Sequence, residues 1–331
     1  MLFKYTTTAA PSALDVVKDL VAIMTGTTDP ALLSTSCDKI ASELLDASHP
    51  SGWTKKAEPA SLKGVSTSHV QYWAVLESPL LADGASRAYV PWGKLDSYLF
   101  VYHPADAWNA STNQLEDSTG AEFSHVWDST LKALYITTNA AQDFYVYVKN
   151  TALVVTKRSA DAQSNPPLFC AEFTNIGSPK AASDLLPFVT GGVYGKASYG
   201  ATIPARITPA RALYQSGSVK KRVWGNYQSG NNGYIAPPVG WEASANANEG
   251  GSGFPVFMNS ADAEAKAPFY PLWFWHGAWG VFGPLKDFPL YFLPHNFTAS
   301  VGDTITGPDG TYMVFGCGNT TSRKTVMRIG A

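Results

Sequence analysis

The sequence predicts a mainly β protein, with an N-terminal helical hairpin followed by β-sandwich-like sheets that are joined by long ordered loops. Apolar side chains recur at helical spacing only before Trp53, whereas the segments after it are short, aromatic or β-branched, with a period of two. We therefore divide the 331 residues into a helical hairpin (1–53), a β-rich domain (54–175) and a loop-rich β domain (176–331), which ends in a hairpin and a C-terminal strand.

Two helices are predicted in the first segment. Ser12 and Asp15 have the spacing of a capping box, and Gly26 is suited to end the helix that follows. The apolar residues at helical spacing between them are Leu14, Val17, Val21 and Met24. Asp29 and Pro30 supply the N-cap and the first-turn proline of a second helix. The apolar face of that helix consists of Leu33, Cys37, Ile40, Ala41 and Leu44.

The second segment contains runs that are typical of strands. They cover residues 69–76, 97–102, 131–137, 144–148, 153–157 and 168–173. A hairpin loop of four residues, Lys149 to Ala152, is expected between two of them. This segment is interpreted as a sandwich or a strongly curved sheet.

The third segment is rich in Gly, Pro, Ser and Asn. It also contains several tryptophans, and disordered segments are poor in such rings. We therefore expect long ordered loops that are held by aromatic anchors. Near the end, Pro308, Asp309 and Gly310 form a turn between arms at 304–306 and 311–315. A last strand is expected at 325–329.

Composition narrows the class of function. Charged residues make up 15% and aromatic residues 13% of the chain, against about 25% charged residues on average. We interpret this as a surface that other polypeptides partly cover. The net charge of −2 and the scattered basic residues do not form an electrostatic footprint for nucleic acid.

The sequence contains no motif for membrane insertion, metal binding or cofactor binding. No secretory signal is visible at the start, and the uncharged run 267–285 contains prolines and glycines that argue against a membrane span. The histidines never occur at ligand spacing, and no glycine pattern matches a phosphate loop. We therefore expect neither a metal nor a cofactor. Cys37, Cys170 and Cys317 are interpreted as buried thiols, with a disulfide between neighbouring copies left open.

One segment has a catalytic interpretation. The run "GGSGFPVF" at 250–257 is similar to the segment around the nucleophilic serine of chymotrypsin-like proteases, with Ser252 as that serine. It departs from the family at Gly251, where an acidic residue is expected, and at Phe254, where a glycine is expected. No histidine has the context that a catalytic triad needs. A glycine-rich loop before a strand is the alternative interpretation.

Three stretches carry a further resemblance. They are the opening "FKYTTTAAPSALDVVKDLVAIMTGTTDPALLSTSCDK" with "SGWT", the middle "LYITTNAAQDFYVYVKNTALVV" with "LFCAEF", and the closing "VGDTITGPDGTYMVF". Together they resemble minor virion structural proteins of tailed bacteriophages. The resemblance implies a non-enzymatic subunit of the tail or baseplate, localised in the virion, with other virion proteins as partners and a ring of three or six copies. A neck or collar protein and a capsid decoration protein remain alternatives.

Two sets of residues are candidates for contacts with partners. The interface candidates, for which packing in the protein's own core is the alternative, are Trp273, Phe274, Trp275, Trp279 and Phe282. The helical hairpin either docks on a neighbour or caps the β domain. Its docking candidates are Val17, Val21, Leu33 and Ile40. Because aromatic clefts also bind sugars, a glycan-binding receptor module remains an alternative function.

Overall fold

The structure is a computed structural model, and it confirms a mainly β fold with several antiparallel sheets. It describes residues 1–42, 51–63, 70–102, 104–116, 133–158, 167–174, 187–193, 205–209, 213–216, 219–222, 233–236, 269–276, 280–293, 299–307, 309–316 and 324–330. The described helices are α1 (Ala13–Met24) and a 3₁₀ turn, Pro30–Leu32. No helix in these ranges has the length and apolar character to cross a bilayer.

The strands follow one another along the whole described chain. The first are β1 (Leu2–Thr7), β2 (Cys37–Ser42), β3 (Thr54–Ala57), β4 (Val70–Glu77), β5 (Tyr89–Leu95), β6 (Tyr98–Val101), β7 (Ala107–Asn109), β8 (Gln114–Glu116), β9 (Ala133–Tyr135), β10 (Asp143–Lys149), β11 (Ala152–Lys157) and β12 (Leu168–Glu172). The later ones are β13 (Phe188–Val193), β14 (Ala205–Pro209), β15 (Leu213–Ser216), β16 (Val219–Arg222), β17 (Gly233–Ala236), β18 (Tyr270–Pro271), β19 (Trp273–His276), β20 (Gly280–Pro284), β21 (Leu290–Phe292), β22 (Thr304–Gly307), β23 (Gly310–Gly316) and β24 (Lys324–Gly330).

Three sheets and two short ribbons contain these strands. The central sheet has the order β2-β1-β10-β11-β12-β13-β14-β17-β19-β20, so strands from all three predicted segments pair within it. The second sheet has the order β3-β4-β5-β6-β9, and the third has the order β18-β21-β24-β23-β22. The ribbons are β7-β8 and β15-β16.

The central sheet is buried on both faces where β1 and β10 to β12 lie. Because successive side chains of a strand point to opposite faces, Phe144 and Val146 join α1 and the second sheet in one core. Tyr145 points the other way and joins the third sheet in a second core. Its ring packs against that of Phe315 at 5.3 Å between centroids.

The layered arrangement explains much of the aromatic content from within the chain. The largest fully buried side chains of the described residues are all aromatic, and they include Trp53, Trp73 and Trp92. Within the same ranges, the exposed large hydrophobic side chains are Leu32 and Leu80. The interpretation that other polypeptides cover these rings is therefore not needed for this part of the chain.

Helix α1 forms as the sequence predicts. The side chain of Ser12 accepts a hydrogen bond from the N–H of Asp15 at 3.4 Å. The helix ends at Met24, and Gly26 follows with φ of +101°, a conformation that glycine adopts without strain.

The prediction of a second helix in this hairpin is wrong. Asp29 caps only the 3₁₀ turn, and the following residues turn into β2, which pairs with β1. The N–H and hydroxyl of Ser34 bond to the carboxylate of Asp19 at 2.8 and 2.7 Å. These bonds hold the chain beside β1. The free edge of β1 then provides hydrogen-bond partners for the backbone of β2, which favours a strand over a second helix.

The predicted hairpins are present with different loop lengths. Lys149 pairs directly with Ala152, so the loop between β10 and β11 has two residues and not four. Its first residue, Asn150, has φ of +48°, which asparagine tolerates better than most residues. Near the end of the chain, β22 and β23 pair from Thr304 with Met313 to Gly307 with Gly310, and β24 pairs along β23 as expected.

Candidate functional site

A cleft of about 480 Å³ lies between the central sheet and the third sheet. Three tyrosines line it, each on a different strand: Tyr147 on β10, Tyr291 on β21 and Tyr312 on β23. We call this site the tyrosine cleft. Phe288, which follows β20, contributes a further ring.

Strand alternation and register position these rings. Tyr147 is two residues beyond Tyr145 and thus points to the same face of the central sheet. On the third sheet, Tyr312 pairs with Arg328 of β24, so the phenol and the guanidinium group start from directly opposite positions. The rings of Tyr291 and Tyr312 lie 6.2 Å apart in an edge-to-face arrangement.

Two ion pairs border the tyrosine cleft. Lys149 Nζ lies 3.4 Å from Asp287 Oδ1, and Asn150 donates to the other carboxylate oxygen of Asp287 at 2.7 Å. Arg328 lies 3.0 Å from Asp309 Oδ2. Each of these two side-chain cations is therefore paired with an acid. Met1 also lines the cleft, and its ammonium group donates to the carbonyl of Val148 at 2.6 Å.

The phenols remain neutral at ordinary pH. Burial raises the pKa of Tyr147 above its usual value, and the charge of Asp287 raises it further. Burial likewise raises the pKa of Tyr291 and of Tyr312, with Asp309 adding to both effects. Their hydroxyls can therefore act as hydrogen-bond donors.

Two of these hydroxyls have no partner within the described part of the chain. Tyr312 donates to Asp309, whereas no hydrogen bond joins the hydroxyl of Tyr147 or of Tyr291 to another described residue. Both side chains are half-buried at the cleft. Since buried polar groups in proteins are nearly always hydrogen-bonded, these hydroxyls are free for solvent or for a ligand.

Of the predicted interface residues, Trp273 follows a residue that lines this cleft. Trp273 is half-buried and begins β19, directly after the cleft residue Leu272. Phe274 and Trp275 lie on the same strand, and Phe282 lies on β20. The register shifts between Phe274 and Trp275, which oppose Gly283 and Val281, so Phe282 lies between two paired positions. Trp279 lies outside the described residues.

The predicted docking residues belong to the chain's own core. Val17 is fully buried and Val21 is 1% exposed, and both pack with the central and second sheets. Leu33 and Ile40 pack against the same core while partly buried, although neither is helical. Helix α1 therefore covers the β-sheets, and its apolar face is not available to a neighbour.

The remaining candidates for chemistry are Ser252, the cysteines and a possible metal site. Ser252 and the segment around it lie outside the described residues, as does Cys317. Cys170 is buried and Cys37 is half-buried, and both are free thiols. Among the described residues, no group of three or more His, Cys, Asp or Glu side chains is arranged to hold a metal ion.

One buried carboxylate, that of Glu172, has a structural role. It accepts hydrogen bonds from the N–H of Ala82 at 3.0 Å and from Thr151 Oγ1 at 3.2 Å, and it lies 2.7 Å from Lys286 Nζ. The backbone N–H of Lys286 also bonds to the carbonyl of Glu172 at 2.8 Å. These contacts join β12 to the segment after β20, which supplies Asp287 and Phe288 to the tyrosine cleft.

The tyrosine cleft could not be predicted from the sequence, because no local motif marks it. Its residues come from separate stretches of the chain that meet only when two sheets stack. Tyr147 stands in an alternating strand pattern, where a cleft residue and a core residue look alike. Comparison with protein-family models gives no match, and comparison with curated proteins gives none either.

Proposed function

We propose that the protein is a non-enzymatic structural subunit of a tailed bacteriophage virion, located in the tail or baseplate and acting by protein-protein assembly. Its partners are further copies in a ring of three or six and other virion proteins. The sequence resemblance to minor virion proteins carries this proposal. The fold supports it, because the three resembling stretches meet in one scaffold.

The meeting of these stretches is seen in the central sheet and the core beside it. The opening stretch forms β1, α1 and β2, and the middle stretch forms β10 to β12. Strands β1 and β10 pair directly. The closing stretch forms β22 and β23, and Phe315 of β23 packs on Tyr145 of β10. The resemblance therefore concerns the framework of the molecule.

An open strand edge offers a surface for assembly. Strand β22 ends the third sheet, and it carries no charged residue and no described partner on its outer side. Soluble proteins commonly protect such edges with charges, as Lys55 and Lys56 do on the edge strand β3. An unprotected edge can pair with a strand of a neighbouring chain.

Mass spectrometry of particles released by the bacterium that carries the gene tests the proposal. We expect the chain in purified particles at a copy number divisible by three. Absence of the chain from intact particles would overturn the proposal.

Light scattering tests the assembly surface separately. We expect the full chain to associate, and we expect Ile305→Lys on β22 to weaken that association. Thr54→Lys on the edge strand β3 is the matched control and should leave association unchanged. Equal behaviour of the two variants would exclude β22 as the contact.

A further inference from the structure

We propose that the tyrosine cleft binds a neutral oligosaccharide of two or three sugar units. This inference goes beyond the structural role. The cleft residue Tyr312 pairs with Ile305 of β22, so the cleft borders the strand whose free edge we assign to assembly. Four properties of the cleft lead to it: its size, its rings, its unpaired hydroxyls and the pairing of each charged side chain with one of opposite sign.

The size of the cleft fits a small ligand. Small-molecule sites in proteins have volumes of about 300–1,000 Å³, and the 480 Å³ of this cleft falls in the lower part of that range. The space admits a short oligosaccharide, and it is too small for a folded domain of a partner.

The cleft wall offers apolar surfaces of the kind that sugars contact. Phe288 is 9% exposed, and it lines the cleft together with the three tyrosines and two prolines. A sugar ring presents C–H groups on its faces and hydroxyls around its edge. An aromatic residue with a polar tip, such as Tyr147 or Tyr291, can contact both kinds of group at once.

The hydrogen-bonding groups match a ligand that both donates and accepts. The hydroxyls of Tyr147 and Tyr291 have no partner among the described residues. Asp287 and Asp309 supply carboxylate acceptors, whereas Lys149 supplies donors. Every sugar hydroxyl is a donor and an acceptor, so all of these groups can be used.

The pairing of charges argues against other small ligands. A phosphate group would find each side-chain cation already paired with an acid, Lys149 with Asp287 at 3.4 Å and Arg328 with Asp309 at 3.0 Å, and these acids would repel it. A proline-rich peptide would use the phenol donors, but proline nitrogens carry no hydrogen, so such a peptide brings few donors for the remaining acceptor positions of the two carboxylates. A neutral polyhydroxyl ligand satisfies acids and bases together.

Titration of the full chain with a panel of neutral trisaccharides tests the proposal. The panel contains maltotriose, cellotriose, mannotriose and chitotriose, and a proline-rich peptide and inorganic phosphate are titrated in parallel. Binding is followed by saturation-transfer NMR and calorimetry. We expect at least one trisaccharide to bind, and we expect phosphate not to compete with it.

Variants then locate the binding. Tyr147→Phe and Tyr291→Phe keep the rings and remove only the hydroxyls. We expect each to weaken binding about fivefold, as loss of one hydrogen bond does. Tyr98→Phe is the matched control, because Tyr98 is a half-buried tyrosine on β6 of the second sheet, away from the cleft, and it should bind as the unmodified chain does.

Each contrary result is decisive. If no trisaccharide binds, if binding is insensitive to both cleft variants, or if only the peptide binds in a Tyr147-dependent manner, the proposal is overturned. The virion proposal is judged by the content of particles, so either proposal can fail while the other stands.

Discussion

The hydroxyl of Tyr5 on β1 donates a hydrogen bond of 2.7 Å to the carboxylate of Asp19 in the middle of α1. Both side chains are buried. The same carboxylate accepts the N–H and hydroxyl of Ser34, which precedes β2. One buried acid thus joins the first strand, the helix and the segment that leads into the edge strand of the central sheet.

Removal of the Tyr5 hydroxyl should destabilise the fold. Tyr5→Phe keeps the ring and leaves a buried carboxylate with one donor fewer, so we expect the free energy of unfolding to fall by about 1.5–3 kcal/mol. Urea denaturation followed by circular dichroism measures this change. Tyr98→Phe is the control and should lie within about 0.5 kcal/mol of the unmodified chain. A similar stability of both variants would show that the bond contributes nothing.

The same tyrosine should make stability depend on alkaline pH. Burial, and next the hydrogen bond to Asp19, raise the pKa of Tyr5 above its usual value. Above pH about 10 the unfolded phenol loses its proton while the folded one keeps it. The unfolded state then binds fewer protons, so this stabilisation is complete below pH 10 and declines by about 1.4 kcal/mol per pH unit above it.

Urea denaturation at pH 9 and pH 11 measures this decline. The stability difference between the unmodified chain and Tyr5→Phe should shrink at the higher pH. A difference that is equal at both pH values would contradict the assignment of the raised pKa to Tyr5.

The buried ion pair of Glu172 and Lys286 should show strong coupling. Lys286→Met leaves the carboxylate of Glu172, which is 4% exposed, without its cation, and we expect a loss of about 3 kcal/mol. Adding Glu172→Gln removes the unpaired charge, so the double variant should lose less than the sum of the single losses.

A double-mutant cycle in urea measures this coupling. Lys149→Met serves as the control, because it breaks a more exposed pair with Asp287 and should cost less than about 1 kcal/mol. Additive losses at Glu172 and Lys286 would argue against a direct interaction.

A methyl group at Gly93 should disturb the second sheet. A Cβ atom there would lie 2.5 Å from Cζ of Phe100 on the neighbouring strand. Phe100 cannot easily move away, because its ring packs edge-to-face on Trp73 at 5.2 Å. We expect Gly93→Ala to cost about 1–3 kcal/mol, and thermal denaturation measures it.

Two further variants check that explanation. Gly330→Ala is the control, because its nearest atom would be 3.6 Å from the new methyl group, which is an ordinary contact. Combining Gly93→Ala with Phe100→Leu should recover part of the loss, and a strictly additive result would contradict the proposed clash.

Local signals in the sequence were sufficient where neighbouring residues decide the structure. The cap at Ser12, the stop at Gly26 and the alternation in β10 and β11 all depend on residues a few positions apart, and each was predicted. The second helix failed because its residues also fit an edge strand. Pairing with β1 and the contacts of Ser34 with Asp19 favour the strand over the helix, and no local pattern in the sequence shows these interactions.

The candidate site required information that the sequence does not display. Tyr147 and Tyr312 are far apart along the chain, and they line one cleft because the central and third sheets stack there. In the third segment the final hairpin and the last strand were predicted, whereas β13 to β21 form where long loops were expected. Most residues that line the cleft belong to this segment, and none of them is a tryptophan. Sites that form between stacked sheets have no spacing rule that a reader of one sequence could apply.

The pairing of β1 with β10 has a consequence for how the molecule is made. Thr6 and Asp143, which bond across the two strands, are 137 residues apart. A ribosome adds about 5–20 residues per second, so the nascent N-terminus waits on the order of ten seconds before its neighbour is synthesised. During that interval β2 is the one sheet neighbour available to β1, and the edge of β1 that pairs with β10 and the face of α1 that packs on β10 are still uncovered.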